Sequence, residues 1–154
     1  MDPEKWLTDL GLKLPNPPSP VANYVTYVKT NNLIFLSGCG PANYMNKNEQ
    51  RGKIGKDINT REGYEIAKLV GLNLIARLKE SIEDLNNLKE IVKLLVMINS
   101  TDGFTEHSKV ANGCSDLLVE IFGDKGKHAR SAIGVASLPN NVCVEIEMIV
   151  EITE

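Results

Sequence analysis

A long amphipathic segment between Arg61 and Asp84 is the feature that most restricts the fold. Apolar residues recur through it at the spacing of one helix face, at Tyr64, Ala67, Val70, Gly71, Leu74, Ile75, Leu78 and Ile82. The residues directly before it, Asn59-Thr60-Arg61-Glu62, have the spacing of a capping box. The sequence therefore predicts a long helix that buries one face against other secondary structure.

A nearly continuous apolar run from Ile91 to Asn99 follows, with the length of a central strand. A second helical stripe ends at Gly123, a residue type that is common just after a helix, and its members are Val110, Ala111, Cys114, Leu117, Leu118, Ile121 and Phe122. Two further β-prone segments, Ser131 to Ala136 and Val142 to Thr153, predict the last two strands.

The N-terminal part of the chain predicts a hairpin preceded by an arm. Asn23 to Lys29 and Leu33 to Ser37 are β-prone runs joined by asparagines, and residues 38–58 are predicted to form a loop with at most a short strand. Before them lie a short helix and a proline-rich extended stretch. We therefore predict an N-terminal arm over residues 1–19 and a single domain over residues 20–154.

The order strand, strand, helix, strand, helix, strand, strand predicts an α+β fold, with one mixed sheet and both long helices on one face. The last strand alternates, so one of its two ladders faces away from the helices: Cys143, Glu145, Glu147, Ile149 and Glu151. This partly apolar, partly acidic face has two interpretations. It is either a subunit interface that contains a polar site or a solvated sheet face.

Composition narrows the classes of partner. Seventeen Lys and Arg against twenty Asp and Glu give a net charge of −3, which argues against nucleic acid. The acidic N-terminus and the lack of a run of about 20 apolar residues predict neither a signal peptide nor a membrane span. Three cysteines without a C-x-x-C motif favour a reducing compartment, so we predict the cytoplasm. The two histidines are not at metal-ligand spacing, and we predict no bound metal.

Arg130 and Glu145 are the candidate catalytic residues. Arg130 stands at the entry to a predicted strand, where its planar guanidinium can hold a carboxylate through two parallel hydrogen bonds. Glu145 lies on the neighbouring strand and faces away from the helices, where a partly buried carboxylate can act as a general base. Taken alone, an arginine here is usually a solvated surface charge, and a glutamate here is usually an exposed strand carboxylate.

The sequence around these two residues resembles the C-terminal motif of the YjgF/RidA family, also called the L-PSP-like family. The motif runs as Ala-Arg-Ser, a short β run, Leu-Pro and a closing Val/Ile-Glu-Ile/Val-Glu, and here it spans 129–139 and 144–147. The N-terminal half carries further matches at Pro20 to Tyr24, Asn32 to Gly38, and Pro41. Together the matches bracket residues 20–152.

The resemblance implies a chorismate-mutase-like fold assembled as a homotrimer, with sites in the clefts between subunits. The archetypal activity of the family is a hydrolase reaction, the deamination of reactive 2-enamine and 2-imine acids such as 2-aminoacrylate to 2-oxo acids and ammonia. That chemistry needs no cofactor, because an imine carbon is already electrophilic and orientation supplies most of the acceleration. The implied partners are a small 2-imino or 2-oxo acid and two further copies of the chain, with neither nucleic acid nor membrane.

The resemblance also implies a role for each site residue. Arg130 would bind the substrate carboxylate, Glu145 would position or activate the attacking water, and the backbone of Ala132 would contact the substrate nitrogen. The cleft-lining positions of the family match Tyr24, Ser37 and Asn112. The last of these has a second interpretation, since Asn112-Gly113 also fits a close-packing point inside the helix.

Departures from the family pattern indicate a divergent subgroup. Ala132 replaces the cysteine that is common two residues after the arginine, and Cys39 stands where glutamine is frequent. Two alternatives to catalysis follow. One is a non-catalytic trimer of the same fold that binds small carboxylates. The other is a ribonuclease or translation inhibitor, against which the acidic balance and the 5% aromatic content argue.

Overall fold

A computed structural model describes residues 2–17, 19–20, 22–41 and 48–153. The helices are α1 Pro3–Asp9, α2 Thr60–Ile82 and α3 His107–Phe122. The strands are β1 Tyr27–Thr30, β2 Leu33–Cys39, β3 Leu88–Asn99, β4 Ala129–Val135 and β5 Val144–Ile152. Short 3₁₀ turns occupy Leu85–Asn87, Gly123–Gly126 and Pro139–Asn141.

Helix α2 begins with the predicted capping box. The Glu62 amide donates to Asn59 Oδ1 at 2.9 Å, and the Asn59 amide donates to Glu62 Oε2 at 2.8 Å. The helix ends at Ile82, two residues before the predicted end, where Glu83 adopts a positive φ of 64°. The middle of the helix, residues 70–78, is buried throughout. Helix α2 is therefore the central element of the helix layer.

The strands form a five-stranded mixed sheet in the order β1-β2-β5-β3-β4. Strands β3 and β4 are parallel, joined by the α3 crossover, and every other neighbouring pair is antiparallel. The predicted α+β fold, with its mixed sheet, is confirmed. The hairpin is shorter than predicted, because β1 starts at Tyr27 and not at Asn23.

The core lies between the helices and one face of the sheet. Alternate residues of β5 are fully buried there: Val144, Ile146, Met148 and Val150. Glu145, Glu147, Ile149 and Glu151 point the other way, as predicted. The prediction for Cys143 is wrong, because it precedes β5 and is fully buried, and its amide donates to the Gln50 carbonyl oxygen at 3.1 Å.

The sheet face opposite the helices, called the open face below, exposes large apolar side chains. Val28 pairs with Phe35 in the hairpin, Phe35 pairs with Ile149, and Ile133 lies two strands away on β4. Val28, Phe35 and Ile133 are 55%, 41% and 44% exposed in the single chain. Such a patch is typical of a surface that binds another molecule.

Helix α1 packs onto the helix layer through Glu4, whose carboxylate accepts from Lys79 Nζ at 2.5 Å and from the Leu85 amide at 3.4 Å. The predicted N-terminal helix is thus confirmed, and the division at residue 19 stays a prediction. Within the described ranges, no helix has the length and apolar character that crossing a bilayer requires.

Candidate functional site

Arg130 is held by helix α3. It pairs with the buried Leu94 of β3, so its side chain leaves β4 on the helix side of the sheet. There Arg130 Nη1 donates to Asn112 Oδ1 at 2.9 Å and to Ser115 Oγ at 3.0 Å. These two acceptors are three positions apart on one helix face. Arg130 is therefore an ordered, half-buried group and not a free surface charge.

The two hydrogen bonds leave one edge of the guanidinium free. Nη1 carries two hydrogens, and both have acceptors. Arg130 Nε and Nη2 have no hydrogen-bond partner among the described residues, and Arg130 has no salt bridge there either. These two nitrogens lie side by side in the guanidinium plane, in the geometry that binds a carboxylate through two parallel bonds.

Asn112 and Ala132 lie beside Arg130. Ala132 is two residues further along β4, so it shares the face of Arg130, and it pairs with Val96. Close packing at Asn112-Gly113 is confirmed, because a Cβ on Gly113 would overlap the Tyr64 carbonyl. Asn112 accepts from Arg130, and its place in a cleft stays a prediction. Asn112, Ser115, Arg130 and Ala132 are called the Arg130 set below.

Glu145 lies on the open face. It is half-buried and pairs with Met97 of β3, between the buried Val144 and Ile146. Burial raises the pKa of the Glu145 carboxyl, the nearby Glu147 raises it further, and Arg77 opposes both effects. A carboxylate with a raised pKa is a stronger base, which suits a group that takes a proton from water.

A bulge in the sheet makes room for the Glu145 side chain. The register of β2 with β5 shifts between Leu36 and Cys39. Between them lies Gly38, where an added Cβ would sit 2.5 Å from Glu145 Oε1. Only glycine at this position lets the carboxylate occupy its place.

Ser37 lies in the bulge and bonds to the segment that follows Tyr24. The Ser37 hydroxyl donates to the Val25 carbonyl oxygen at 2.6 Å, and the Ser37 amide donates to the Thr26 carbonyl oxygen at 2.9 Å. These bonds fasten the segment that carries Tyr24, whose side chain is 48% exposed, to strand β2. Tyr24, Ser37, Gly38 and Glu145 are called the Glu145 set below.

The two sets do not meet within one chain. Strand β3 separates β4 from β5, and the side chains of Arg130 and Glu145 leave the sheet on opposite faces. Two of the larger cavities, of 670 and 470 Å³, lie among residues 48–66 and 55–106, and neither is lined by Arg130 or Glu145. A single copy thus places the Arg130 set and the Glu145 set on separate surfaces.

Arg77 was missed by sequence reasoning. It is only 5% exposed, and its Nη1 donates to the carbonyl oxygens of Ser37 at 3.2 Å and Gly38 at 3.4 Å. It thereby holds the bulge and places a positive charge near Glu145. The available signal was a charged residue inside the otherwise largely apolar run of residues 69–78.

Ser115 and His128 were also missed. His128 Nε2 lies 2.9 Å from Ser115 Oγ, and His128 Nδ1 lies 2.6 Å from the Gly126 carbonyl oxygen. Ser115 could have been found from its three-residue spacing after Asn112, which places both on one face of a helix. His128 gives no such signal, because its contacts depend on how the loop before β4 packs.

The thiols of the three cysteines are poor nucleophiles. Cys39, Cys114 and Cys143 are free and buried. Burial raises the pKa of Cys39 and of Cys143 to about 12, and it raises the pKa of Cys114 as well. All three are therefore protonated at neutral pH, and the thiolate is the reactive form.

Known proteins resemble this chain over nearly its whole length. A family model described as "YjgF/chorismate mutase-like, putative endoribonuclease" matches residues 4–152. Protein TCP17 of Trypanosoma cruzi is 40% identical over 147 residues, which cover 95% of this chain and 91% of that protein. A 2-iminobutanoate/2-iminopropanoate deaminase of Dermatophagoides farinae is 27% identical, with 92% and 94% covered. A solved structure from Shewanella oneidensis, named a putative endoribonuclease, superposes with a TM-score of 0.93 at 33% identity, with 99% and 100% covered.

Proposed function

Because the chain belongs to the YjgF/RidA family, we propose that it hydrolyses reactive 2-imino and 2-enamino acids to 2-oxo acids and ammonia in the clefts of a homotrimer. The observation that carries the proposal is the division of the candidate site into two half-sites on separate surfaces of one chain. One half-site offers a fixed cation and the other offers a base.

The Arg130 set would hold the substrate. The free Nε and Nη2 edge of Arg130 would bind the carboxylate that every 2-imino acid carries. Ala132 lies on β4, the last strand in the sheet order, so one backbone edge of that strand has no neighbouring strand among the described residues. That edge would supply the backbone contact to the substrate nitrogen.

The Glu145 set would deliver water to the imine carbon. An enamine first becomes the imine as a proton moves from its nitrogen to its β carbon. Water then attacks the imine carbon, and Glu145 takes one proton from the water and passes it to the imine nitrogen, which gives a neutral tetrahedral carbinolamine. Glu145 next takes the proton of the carbinolamine hydroxyl and delivers it to the amino group, so that the C–N bond breaks, ammonia leaves and the carbonyl of the 2-oxo acid forms. Holding the carboxylate and one water in place supplies most of the acceleration.

A second copy would complete each cleft. The open face of one copy, placed against the β4 edge of the next, would bring Glu145 towards Arg130 and cover the apolar Val28, Phe35 and Ile133. Such a contact joins two different surfaces, and contacts of this kind form a ring when the rotation between copies closes. A three-membered ring fits the homotrimer that the family resemblance implies. The buried, free cysteines fit the reducing cytoplasm as its location.

Two other functions compete with this proposal. A trimer that binds small carboxylates without catalysis would need the Arg130 set alone, whereas the raised pKa of Glu145 favours catalysis. The name of the Shewanella structure suggests RNA cleavage. The net charge of −3 argues against that function, because RNA binding depends on cationic contacts.

The test is to add the purified protein to a dehydratase that generates 2-aminoacrylate or 2-iminobutyrate and to follow the loss of the intermediate. We expect faster loss with the wild type and no acceleration with Arg130→Ala. A folded trimer that leaves the spontaneous rate unchanged would exclude the deaminase. Binding of 2-oxo acids by that inactive trimer would then support the carboxylate-binding alternative.

A further inference from the structure

A chain of hydrogen bonds runs from the loop before β4 to Arg130. The Gly126 carbonyl oxygen lies 2.6 Å from His128 Nδ1, and His128 Nε2 lies 2.9 Å from Ser115 Oγ. Ser115 Oγ in turn accepts from Arg130 Nη1 at 3.0 Å. We propose that His128, acting through Ser115, is a positioning residue that fixes the orientation of the Arg130 guanidinium. Its consequence for catalysis rests on the proposed function.

The direction of each bond follows from the chemistry of the groups. A carbonyl oxygen only accepts, so His128 Nδ1 carries the proton and donates to Gly126. In neutral imidazole the other nitrogen is then an acceptor, so the Ser115 hydroxyl donates to His128 Nε2. This turns a lone pair of Ser115 Oγ, and not its hydrogen, towards Arg130. The serine acts as a directed acceptor because its hydroxyl hydrogen is donated in the hydrogen bond to His128.

The neutral form of His128 is the stable one. Burial lowers the pKa of His128 and the nearby Arg130 charge lowers it too, while the hydrogen bond to Gly126 opposes both. At neutral pH the imidazole is therefore uncharged and keeps its acceptor.

The effect on Arg130 is geometric. With Asn112 and Ser115 both bound to Nη1, the guanidinium cannot rotate about its long axis without losing a hydrogen bond. The Nε and Nη2 edge is thus presented to the cleft in one orientation. Without His128 the Ser115 hydroxyl can rotate. Its hydrogen can then point towards the Arg130 Nη1 hydrogen, which removes the acceptor that Nη1 uses.

Nitrogen NMR tests the array without reference to activity. In ¹⁵N-labelled protein at neutral pH, His128 should be protonated at Nδ1 and unprotonated at Nε2, with its signals assigned by their loss in His128→Phe. The guanidinium signals of Arg130, assigned with Arg130→Lys, should be resolved in the wild type and coalesce in Ser115→Ala and His128→Phe. Ser115→Thr keeps the hydroxyl and should retain them. Ser108→Ala, an exposed serine on the same helix, is the matched control.

Kinetics then separate positioning from general loss of structure. In folded Ser115→Ala and His128→Phe, KM for the imine and Kd for pyruvate should rise roughly tenfold, with kcat within about twofold, because Glu145 is untouched. Ser115→Thr should restore both constants. An unchanged KM in both variants, or the opposite His128 tautomer, would overturn the proposal. If the wild type neither hydrolyses imines nor binds pyruvate, the proposed function fails, and the guanidinium signals alone decide whether His128 positions Arg130.

Discussion

The Arg130 set and the Glu145 set are built by different means. Arg130 is oriented by side-chain hydrogen bonds to Asn112 and Ser115, two residues of one helix. Glu145 is placed by backbone shape, since a bulge and Gly38 leave the space that its carboxylate fills. The first set holds a permanent charge at a fixed angle, and the second holds a titratable group in a poorly solvated place. A substitution in one set should therefore alter binding, and one in the other should alter the chemical step.

The largest effect is expected from removing the cation. Arg130→Ala should lower kcat/KM by a few hundredfold or more, because two charged hydrogen bonds to the substrate carboxylate are worth roughly 1.5 to 3 kcal/mol each. Arg130→Lys keeps the charge without the planar fork and should lose less. Steady-state kinetics on folded oligomers measure both. Activity and 2-oxo acid binding at the wild-type level in Arg130→Ala would remove Arg130 from the site.

Arg130→Ala should also lower the free energy of unfolding, because it leaves polar groups without their hydrogen-bond donor. Asn112 and Ser115 lose their shared donor, at a cost of roughly 1 kcal/mol. Chemical denaturation of Arg130→Ala measures this, and its midpoint serves as the folding control for the kinetics.

Replacing Glu145, the proposed base, should lower the rate of the chemical step and leave carboxylate binding intact. Glu145→Gln should lower kcat by about a hundredfold, the lower end of what general acid–base catalysis contributes, while Kd for pyruvate stays near the wild-type value. Kinetics and calorimetry on the same preparation make the comparison. A large rise in Kd with kcat unchanged would show that Glu145 belongs to the binding half of the site.

A smaller effect should follow from a single methyl group at the bulge. Gly38→Ala would place a Cβ 2.5 Å from Glu145 Oε1, so the carboxylate must move and kcat should fall by about tenfold. Gly103→Ala is the matched control, because a Cβ there has no neighbour within 4 Å. Equal kcat values for the two variants would mean that the position of Glu145 does not matter.

The smallest effect is a shift in pH dependence. A general base works in its ionised form, so kcat should fall as the pH drops through the pKa of Glu145. Because burial and Glu147 raise that pKa, the acid limb should lie above the ordinary range of a glutamate. Glu147→Gln removes one of the two causes and should move the limb to lower pH. If Glu147→Gln does not move the acid limb, the limb reports the titration of a group other than Glu145.

The sequence predicted the helices and strands more accurately than the contacts between residues distant in sequence. The α2 helix ends where expected to within two residues, because a capping box and a helical period are local signals. The hairpin ladder starts only at Tyr27, and before it the carbonyl oxygens of Val25 and Thr26 accept from the hydroxyl and amide of Ser37, contacts that no local pattern encodes. The burial of Cys143 depends on Gln50, which is distant in sequence.

The contacts of the candidate site were also less predictable from the sequence than its residues. The family resemblance supplied Arg130 and Glu145, and strand alternation placed Glu145 on the open face. The bonds of Arg130 to α3 depend on the register of β4 against β3, which no local pattern encodes. Arg77 stands out in the sequence as a charge in an apolar run, but its acceptors are backbone carbonyl oxygens at the bulge in β2, which no local pattern identifies.

In the proposed trimer, each active cleft takes Arg130 from one copy and Glu145 from the next. Mixing tests it directly: Arg130→Ala and Glu145→Gln are unfolded together in equal amounts, refolded, and assayed for imine hydrolysis. In random trimers about a quarter of the clefts would pair an intact Arg130 with an intact Glu145, so about a quarter of wild-type activity should return. Each variant refolded alone should keep about a hundredth of the wild-type activity or less. If the mixture stays as inactive as its components while trimers form, the two residues do not act across an interface, and the account is wrong.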